Sequence, residues 1–160
     1  MDLKALKPST FASATTELPL ERVWLVASNP LLLPSLSPEL QAVRLLGGDH
    51  LQLGSQFEGD QLRGERTWTT TSTVTKFEEG RVFEWTVGEL EEPVSRWSFL
   101  LDAHPGGCTL TEKVVLLGGP SPLTTFVEAH PEEAEDVIRE RLELLRERMA
   151  VTVHGLLQLA

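Results

Sequence analysis

Several residue types are scarce in this sequence of 160 residues, and their scarcity excludes whole classes of protein. Tyrosine is absent, which removes a phenol that can serve as the general acid in enol or phenol chemistry. Cysteine occurs once, at Cys108, so an internal disulfide and a metal site built from several cysteines are both excluded. We interpret Cys108 as a small buried apolar residue rather than as a nucleophile.

Long apolar runs are also missing. No run approaches the roughly 20 residues that a membrane-spanning helix requires. The initial segment, MDLKALKPSTF, lacks the apolar stretch of about 7–15 residues that marks a secretory signal. We therefore expect no membrane insertion and a cytoplasmic location.

Basic residues are outnumbered, with 14 lysines and arginines against 24 aspartates and glutamates and a net charge of −10. A surface this negative repels phosphate backbones and anionic lipid headgroups. We expect no nucleic-acid partner and no membrane surface bound through charge. The hydrophobic share of 41% is high enough for a substantial core.

Motifs for cofactors and metals are absent as well. His50, His104 and His130 fall in predicted loops and His154 falls on the polar side of a predicted helix, so no two histidines have a metal-ligand spacing. The sequence contains no Gly-x-Ser-x-Gly elbow, phosphate-binding loop or dinucleotide fingerprint. We expect no metal and no cofactor.

The elements that are present favour one α+β domain over residues 1–160. Segments rich in Thr, Val and aromatic residues predict strands, and five or six of them follow one another through short turns, as in an antiparallel meander. Pro19 and Asn29-Pro30 bracket a short predicted helix at residues 20–27, and a second short helical piece begins at Leu31. The predicted strands are residues 10–18, 41–46, 55–62, 65–77, 81–87, 94–101 and 108–117.

The C-terminal segment predicts a long amphipathic helix. A loose stretch at residues 118–131, with three prolines, precedes it, and the segment from Glu132 onward has no proline. Apolar residues recur there at spacings of three or four, which places them on one helical face. That face consists of Ala134, Ile138, Leu142, Leu145, Met149, Val153 and Leu156.

A sheet covered by a single large helix must curl around it, and such a wrap tends to leave a cavity. Strand alternation indicates which side chains face that cavity. The alternative is that the rings fill a close-packed core. The expected pocket residues from the strands are Trp68, Thr70, Ser72, Phe83, Trp85, Trp97, Phe99, Leu110 and Glu112, and those from the helix are Arg141, Leu142, Leu145 and Met149.

Three stretches of sequence resemble the START-like helix-grip superfamily (SRPBCC-type, Bet v-like), in its polyketide cyclase/dehydrase and lipid-transport branch. They are LPLERVWLVASNPLLLPSLSPEL, RTWTTTSTVTKFEEGRVFEWTV and VSRWSFLLDAHPGGCTLTEKV, followed by the long helix. Leu18 stands where the family usually has Ala, Leu36 where it has Trp, and Cys108 where Thr is common. The resemblance implies a curved antiparallel sheet around the C-terminal helix, with two short helices after the first strand.

Three charged residues are candidates for chemistry in the pocket. If Leu110 faces inward, Glu112 does too, and it is the one weak candidate for a catalytic residue. Arg141 and Arg148 lie within the apolar arc of the helix, where they could pair with Glu112 or hold an acidic group of a ligand. Alternatively, both arginines extend into water and Glu112 lies near a strand end.

The expected cavity and the resemblance together favour binding or transport of a small hydrophobic molecule, lipid-like or polyketide-like. We expect residues 31–40 and the loop before the last helix to form the mouth of the cavity, because their Pro and Gly content suits a movable gate. One alternative is a polyketide cyclase or dehydratase in which Glu112 assists as an acid with a raised pKa. Another is a protein-interaction module of the co-chaperone type. The ligand and the oligomeric state stay open, and exposed edge strands make a homodimer possible.

Overall fold

The computed structural model describes residues 2–160 and contains a curved antiparallel sheet of seven strands together with a long C-terminal helix. The strands are β1 (Ser9–Thr16), β2 (Leu40–Leu46), β3 (Gln56–Arg63), β4 (Arg66–Glu78), β5 (Val82–Val87), β6 (Ser95–His104) and β7 (Gly107–Leu116). The helices are α1 (Leu3–Leu6), α2 (Leu20–Ala27), α3 (Pro122–Ala129) and α4 (Ala134–Leu159), with a 3-10 helix at Pro30–Ser35.

The sheet follows chain order from β2 to β7, which confirms the predicted antiparallel meander. β1 completes it by pairing with β7, so that β1 and β2 form its two edges. The predicted strand bounds lie within two residues of the observed ones except at the end of β6. That strand continues to His104, and the prediction that His104 lies in a loop is therefore wrong.

The connection between β1 and β2 contains the two short helices that the sequence predicted. Helix α2 has the predicted bounds, and the 3-10 helix begins at Pro30, one residue before the predicted start. Asn29 caps the 3-10 helix because its side-chain oxygen accepts a hydrogen bond from the Leu31 N–H, at 3.1 Å. The 3-10 helix contacts β2, whereas α2 contacts α4, β6 and β7.

The prediction of a loose stretch at residues 118–131 is wrong, because α3 occupies most of it. Ser121 is the N-cap of α3, and its hydroxyl oxygen accepts a hydrogen bond from the Thr124 N–H at 3.1 Å. Pro122 occupies the first turn, where a missing N–H breaks no helical hydrogen bond, and Pro131 follows the helix end. The prolines therefore bound the helix rather than interrupt it.

Helix α4 is anchored by apolar contacts at both of its ends. Near its C-terminus, Val153 and Leu156 belong to a buried cluster with Phe83 and Phe99 of the sheet and with α2. Near its N-terminus, a second cluster joins the helix to α1 and α3 and consists of Leu3, Val127, Ala134 and Ile138. In the described part of the chain, no helix combines the length and apolar character needed to traverse a bilayer.

A candidate ligand cavity between the sheet and helix α4

The middle of α4 borders a cavity of about 300 Å³. Arg141, Leu145, Arg148, Met149 and Thr152 line it, and their spacing places them along one face of the helix. This face lies between the two apolar clusters that anchor the helix ends. The volume is at the lower end of the range of about 300–1,000 Å³ found for small-molecule sites.

The sheet contributes aromatic side chains and hydroxyl groups to the opposite wall. Trp85 and Trp97, which face each other across β5 and β6, stack with ring centroids 6.3 Å apart and planes 8° apart. The Trp97 indole N–H donates a hydrogen bond to the Ser95 hydroxyl at 3.1 Å, so its polar atom is satisfied. The wall is therefore apolar with a few hydroxyl groups, as is common in small-molecule sites.

Most of the predicted pocket residues border the cavity, but four do not. Phe83, Phe99 and Leu110 have no exposed surface and lie within the core, and Leu142 packs between the apolar clusters of α1, α3 and β7. Alternation along a strand determines which face a side chain occupies, but not its distance from the cavity. The residues that do line it are Trp68, Thr70, Ser72, Trp85, Trp97, Glu112, Arg141, Leu145 and Met149. That these residues contact a ligand stays a prediction.

Glu112 is the deepest acidic group on the cavity wall. It lies in the middle of β7, between Ala12 of β1 and Phe99 of β6, and is only 5% exposed. Its Oε2 atom has no hydrogen-bond partner among residues 2–160. Burial raises the pKa of Glu112 to about 8, so the carboxyl group is mainly protonated at neutral pH and can donate a hydrogen bond.

Arg141 and Arg148 contact Glu39 rather than Glu112, so the pairing with Glu112 that the sequence suggested is wrong. Arg63 Nε lies 2.9 Å from Glu39 Oε1, and Arg141 Nη1 lies 3.7 Å from the same oxygen. Arg148 Nη1 forms an ion pair with that oxygen too. The alternative of arginine heads in water is also wrong, since both guanidinium groups contact Glu39, whose side chain is only 14% exposed.

This cluster of one carboxylate and three arginines shifts the pKa values of its members. Burial alone would raise the pKa of Glu39, but hydrogen bonds and charges from the three arginines outweigh it and hold that pKa below the ordinary value. Burial and the nearby charge of Arg63 lower the pKa of Arg141. Glu39 is therefore ionised at neutral pH, and the arginines repel one another around it.

Sequence reasoning missed Glu39, Arg63 and Arg66, all of which line the cavity. Arg63 and Arg66 flank the β3–β4 turn, and their guanidinium carbons lie 5.7 and 5.5 Å from the centroid of the Trp68 ring. One signal could have identified Glu39, because it is the only charged residue between Arg22 and Arg44. Nothing in the one-dimensional pattern identifies its partners, which lie 24 or more residues away.

Both segments predicted to form the mouth contribute residues to the cavity. The first segment contributes Leu33 from the 3-10 helix, Ser37 and Glu39 from the connection to β2, and Leu40 from the start of that strand. The start of α3 contributes the segment from Ser121 to Thr124. α3 therefore occupies the place that the sequence assigned to an open loop.

The remaining candidate groups lie away from the cavity. Cys108 is fully buried, its thiol lies 3.7 Å from the Leu18 carbonyl oxygen, and burial raises the pKa of the thiol. This environment fits the interpretation of Cys108 as a core residue. Among residues 2–160, no three His, Cys, Asp or Glu side chains are grouped so that they could hold a metal ion.

Solved structures share this fold at low sequence identity. A Polyketide_cyc-like protein from Corynebacterium glutamicum matches with a TM-score of 0.67 and 21% identity, over 92% of this chain and 88% of its own. The Zhui aromatase/cyclase from Streptomyces sp. R1128 matches with a TM-score of 0.65 and 13% identity, over 94% and 92%. Ara h 8.0201 matches with a TM-score of 0.58 and 14% identity, over 92% and 98%.

These likenesses establish the helix-grip fold that the sequence predicted. No curated protein sequence matches the chain. The profile of the family described as polyketide cyclase/dehydrase and lipid transport matches residues 9–150, which is most of the sequence. The chain therefore belongs to the polyketide cyclase/dehydrase and lipid transport family.

Proposed function

We propose that this protein binds a small hydrophobic molecule in the cavity between the sheet and α4. The observation that carries the proposal is the cavity of about 300 Å³, walled by Trp85 and Trp97 on one side and by Leu145 and Met149 on the other. Apolar walls that enclose a space of this size favour a ligand that loses apolar surface to water when it binds. Membership of the family supports a ligand-binding or cyclase role.

The proposal predicts that freshly purified protein retains or takes up a hydrophobic molecule. Native mass spectrometry should show a species heavier than the polypeptide, and denaturation should release the extra mass. Where the purified protein is empty, the neutral dye N-phenyl-1-naphthylamine should bind at one site per chain. A protein that neither retains a molecule nor binds the dye would contradict the proposal.

A matched pair of variants ties this binding to the cavity. Ser72 is 3% exposed and lines the cavity, so Ser72→Phe places a ring in the space that the ligand needs. Thr71 is exposed on the opposite face of β4, and Thr71→Phe is the control. We expect Ser72→Phe to abolish binding and Thr71→Phe to leave it unchanged. Equal binding by both variants would place the ligand elsewhere.

Glu112 supports a second candidate function, a cyclase or dehydratase acting on a polyketide-like substrate. A protonated carboxyl group without a partner, on the wall of an apolar cavity, could donate a hydrogen bond to a ketone oxygen. That bond would stabilise the negative charge that develops on the oxygen as a new carbon–carbon bond forms. The cavity would contribute by holding a flexible substrate in a folded conformation.

The Glu112→Gln variant separates the two functions. If the protein is an enzyme, Glu112→Gln should no longer convert a linear poly-β-ketone, as measured by mass spectrometry of the products. The affinity of the variant for the neutral dye should stay within about twofold of the wild-type value. An unchanged rate in the variant would end the enzymatic proposal. Binding of the dye without any product from the wild-type protein favours the carrier.

A further inference from the structure

Positive charge is concentrated on the wall of the cavity, although the protein as a whole is strongly acidic. Four arginines line the cavity, whereas the acidic residues that line it are Glu39 and Glu112. Glu112 is mainly protonated at neutral pH, so Glu39 supplies the one full negative charge. Four positive charges against one negative charge leave a net charge of +3 on the wall, in a chain whose net charge is −10.

Glu39 neutralises this cluster only in part. Arg63, Arg141 and Arg148 all approach the same oxygen of Glu39, so three guanidinium groups share one carboxylate. Arg148 Nη1 is buried and, beyond its ion pair with Glu39, has no aligned hydrogen bond among residues 2–160. Like charges held together and partly shielded from water repel strongly, and a second anion between them would relieve that repulsion.

The position of the arginines relative to the apolar wall indicates the shape of such an anion. Arg141 and Arg148 lie on the same face of α4 as Leu145 and Met149. If the arginines bind the charged group of a ligand, the rest of that ligand contacts apolar side chains. Guanidinium groups match carboxylate and phosphate oxygens in planar, two-pronged geometry. Both features fit a molecule with one anionic end and one apolar end.

On the basis of the proposed function, we propose that the ligand is an anionic amphiphile whose carboxylate or phosphate group is bound by Arg63, Arg141 and Arg148. Its apolar body lies between Trp85, Trp97 and Met149. In the empty protein, Glu39 occupies part of the anion site. When the ligand binds, Glu39 either shares the three arginines with the anionic group of the ligand or moves away from them.

Two dyes that differ in one charged group test this proposal. 8-Anilinonaphthalene-1-sulfonate has the skeleton of N-phenyl-1-naphthylamine with an added sulfonate, an anion that stands in for the carboxylate or phosphate. Arg148→Met and Arg141→Met keep much of the apolar stem and remove the charge. We expect each to weaken binding of the sulfonate dye at least about tenfold and to change binding of the neutral dye less than about twofold.

Further variants serve as controls. Arg139→Met, an exposed arginine on the same helix that pairs with Asp136, should leave the affinity for both dyes unchanged. Arg148→Lys keeps the positive charge and should restore part of the sulfonate affinity. Glu39→Gln removes the competing carboxylate and should strengthen sulfonate binding. Equal losses for the two dyes, or no loss for the sulfonate dye, would overturn the anion site while leaving the proposed function intact.

Competition identifies the head group and separates the two proposals. Decanoate and decyl phosphate should displace the neutral dye from the wild-type protein more effectively than decanol, and the stronger of the two names the preferred anion. Equal displacement by all three would overturn the anion site. A wild-type protein that retains no molecule and binds neither dye would contradict the proposed function itself.

Discussion

Among single side chains, Glu112 is the one whose chemistry depends most on its surroundings. Its neighbours across the sheet are Ala12 and Phe99, neither of which offers a side-chain hydrogen bond. The carboxyl group therefore keeps its proton at neutral pH, because an ionised form would lose its hydration without gaining a partner. A buried neutral acid that borders a cavity is available to a ligand as a hydrogen-bond donor.

The raised pKa of Glu112 predicts how stability depends on pH. The folded protein keeps a proton up to about pH 8, whereas the unfolded chain releases it near the ordinary value of 4.5. The free energy of unfolding therefore decreases as the pH rises between these values, by about 1.4 kcal/mol per pH unit from this group. Glu112→Gln cannot ionise and should escape this loss.

Urea unfolding of the wild-type protein and Glu112→Gln at pH 5 and pH 8 measures the effect. The two proteins should be of similar stability at pH 5, and the variant should be more stable by a few kcal/mol at pH 8. The difference between the two proteins is free of the contributions that other groups titrating in this range make to the pH dependence of stability. A stability difference that does not change with pH would show that Glu112 is ionised or solvated in the folded protein.

The tryptophans of the cavity wall and Glu39 show which features of single residues can be predicted from sequence and which cannot. The alternation of strands placed Trp68, Trp85 and Trp97 on faces that do border the cavity. The contacts of Glu39 with Arg63 and Arg148 depend on three segments that meet only in the folded chain. Periodicity describes the faces of one element, and ion pairs between distant elements lie outside its reach.

At the level of elements, the packing of α4 against the rest of the protein depends on one apolar face. Two valines of that helix, one buried and one exposed, test this dependence. Val153 is 1% exposed within the core and Val151 is 62% exposed, two positions away. Val153→Ala should lower the free energy of unfolding by about 2 kcal/mol, from lost burial and the cavity left behind. Val151→Ala should change it by less than about 0.5 kcal/mol, since alanine also favours the helix.

Chemical denaturation of the two alanine variants beside the wild-type protein gives both values. Equal losses would mean that the orientation of α4 differs from the one described. The periodic apolar spacing was sufficient to predict this orientation from sequence. The sequence does not predict α3, because prolines in and around it indicate breaks, although Pro122 occupies a first turn, where proline is favoured.

For the molecule as a whole, the order of elements together with the resemblance to the helix-grip superfamily predicts the fold, and the structure and its relatives confirm it. The depth of each side chain was not predictable, because a sheet that curves around one helix brings some inward residues into the core and leaves others at the cavity. Phe83 and Phe99 lie in the core, whereas Trp97 lies at the cavity. Homodimerisation through the edge strands β1 and β2 stays a prediction, which sedimentation equilibrium measures.

Crystals of the protein soaked with 10-bromodecanoate would show directly where a ligand binds, without reliance on dye-binding assays. The bromine atom gives an anomalous signal whose position can be read independently of the rest of the density. We expect the bromine between the sheet and α4, in contact with Trp85, Trp97 or Met149, and the carboxylate at Arg141 and Arg148. Bromine peaks confined to the outer surface, with the cavity empty at saturating concentration, would contradict the account.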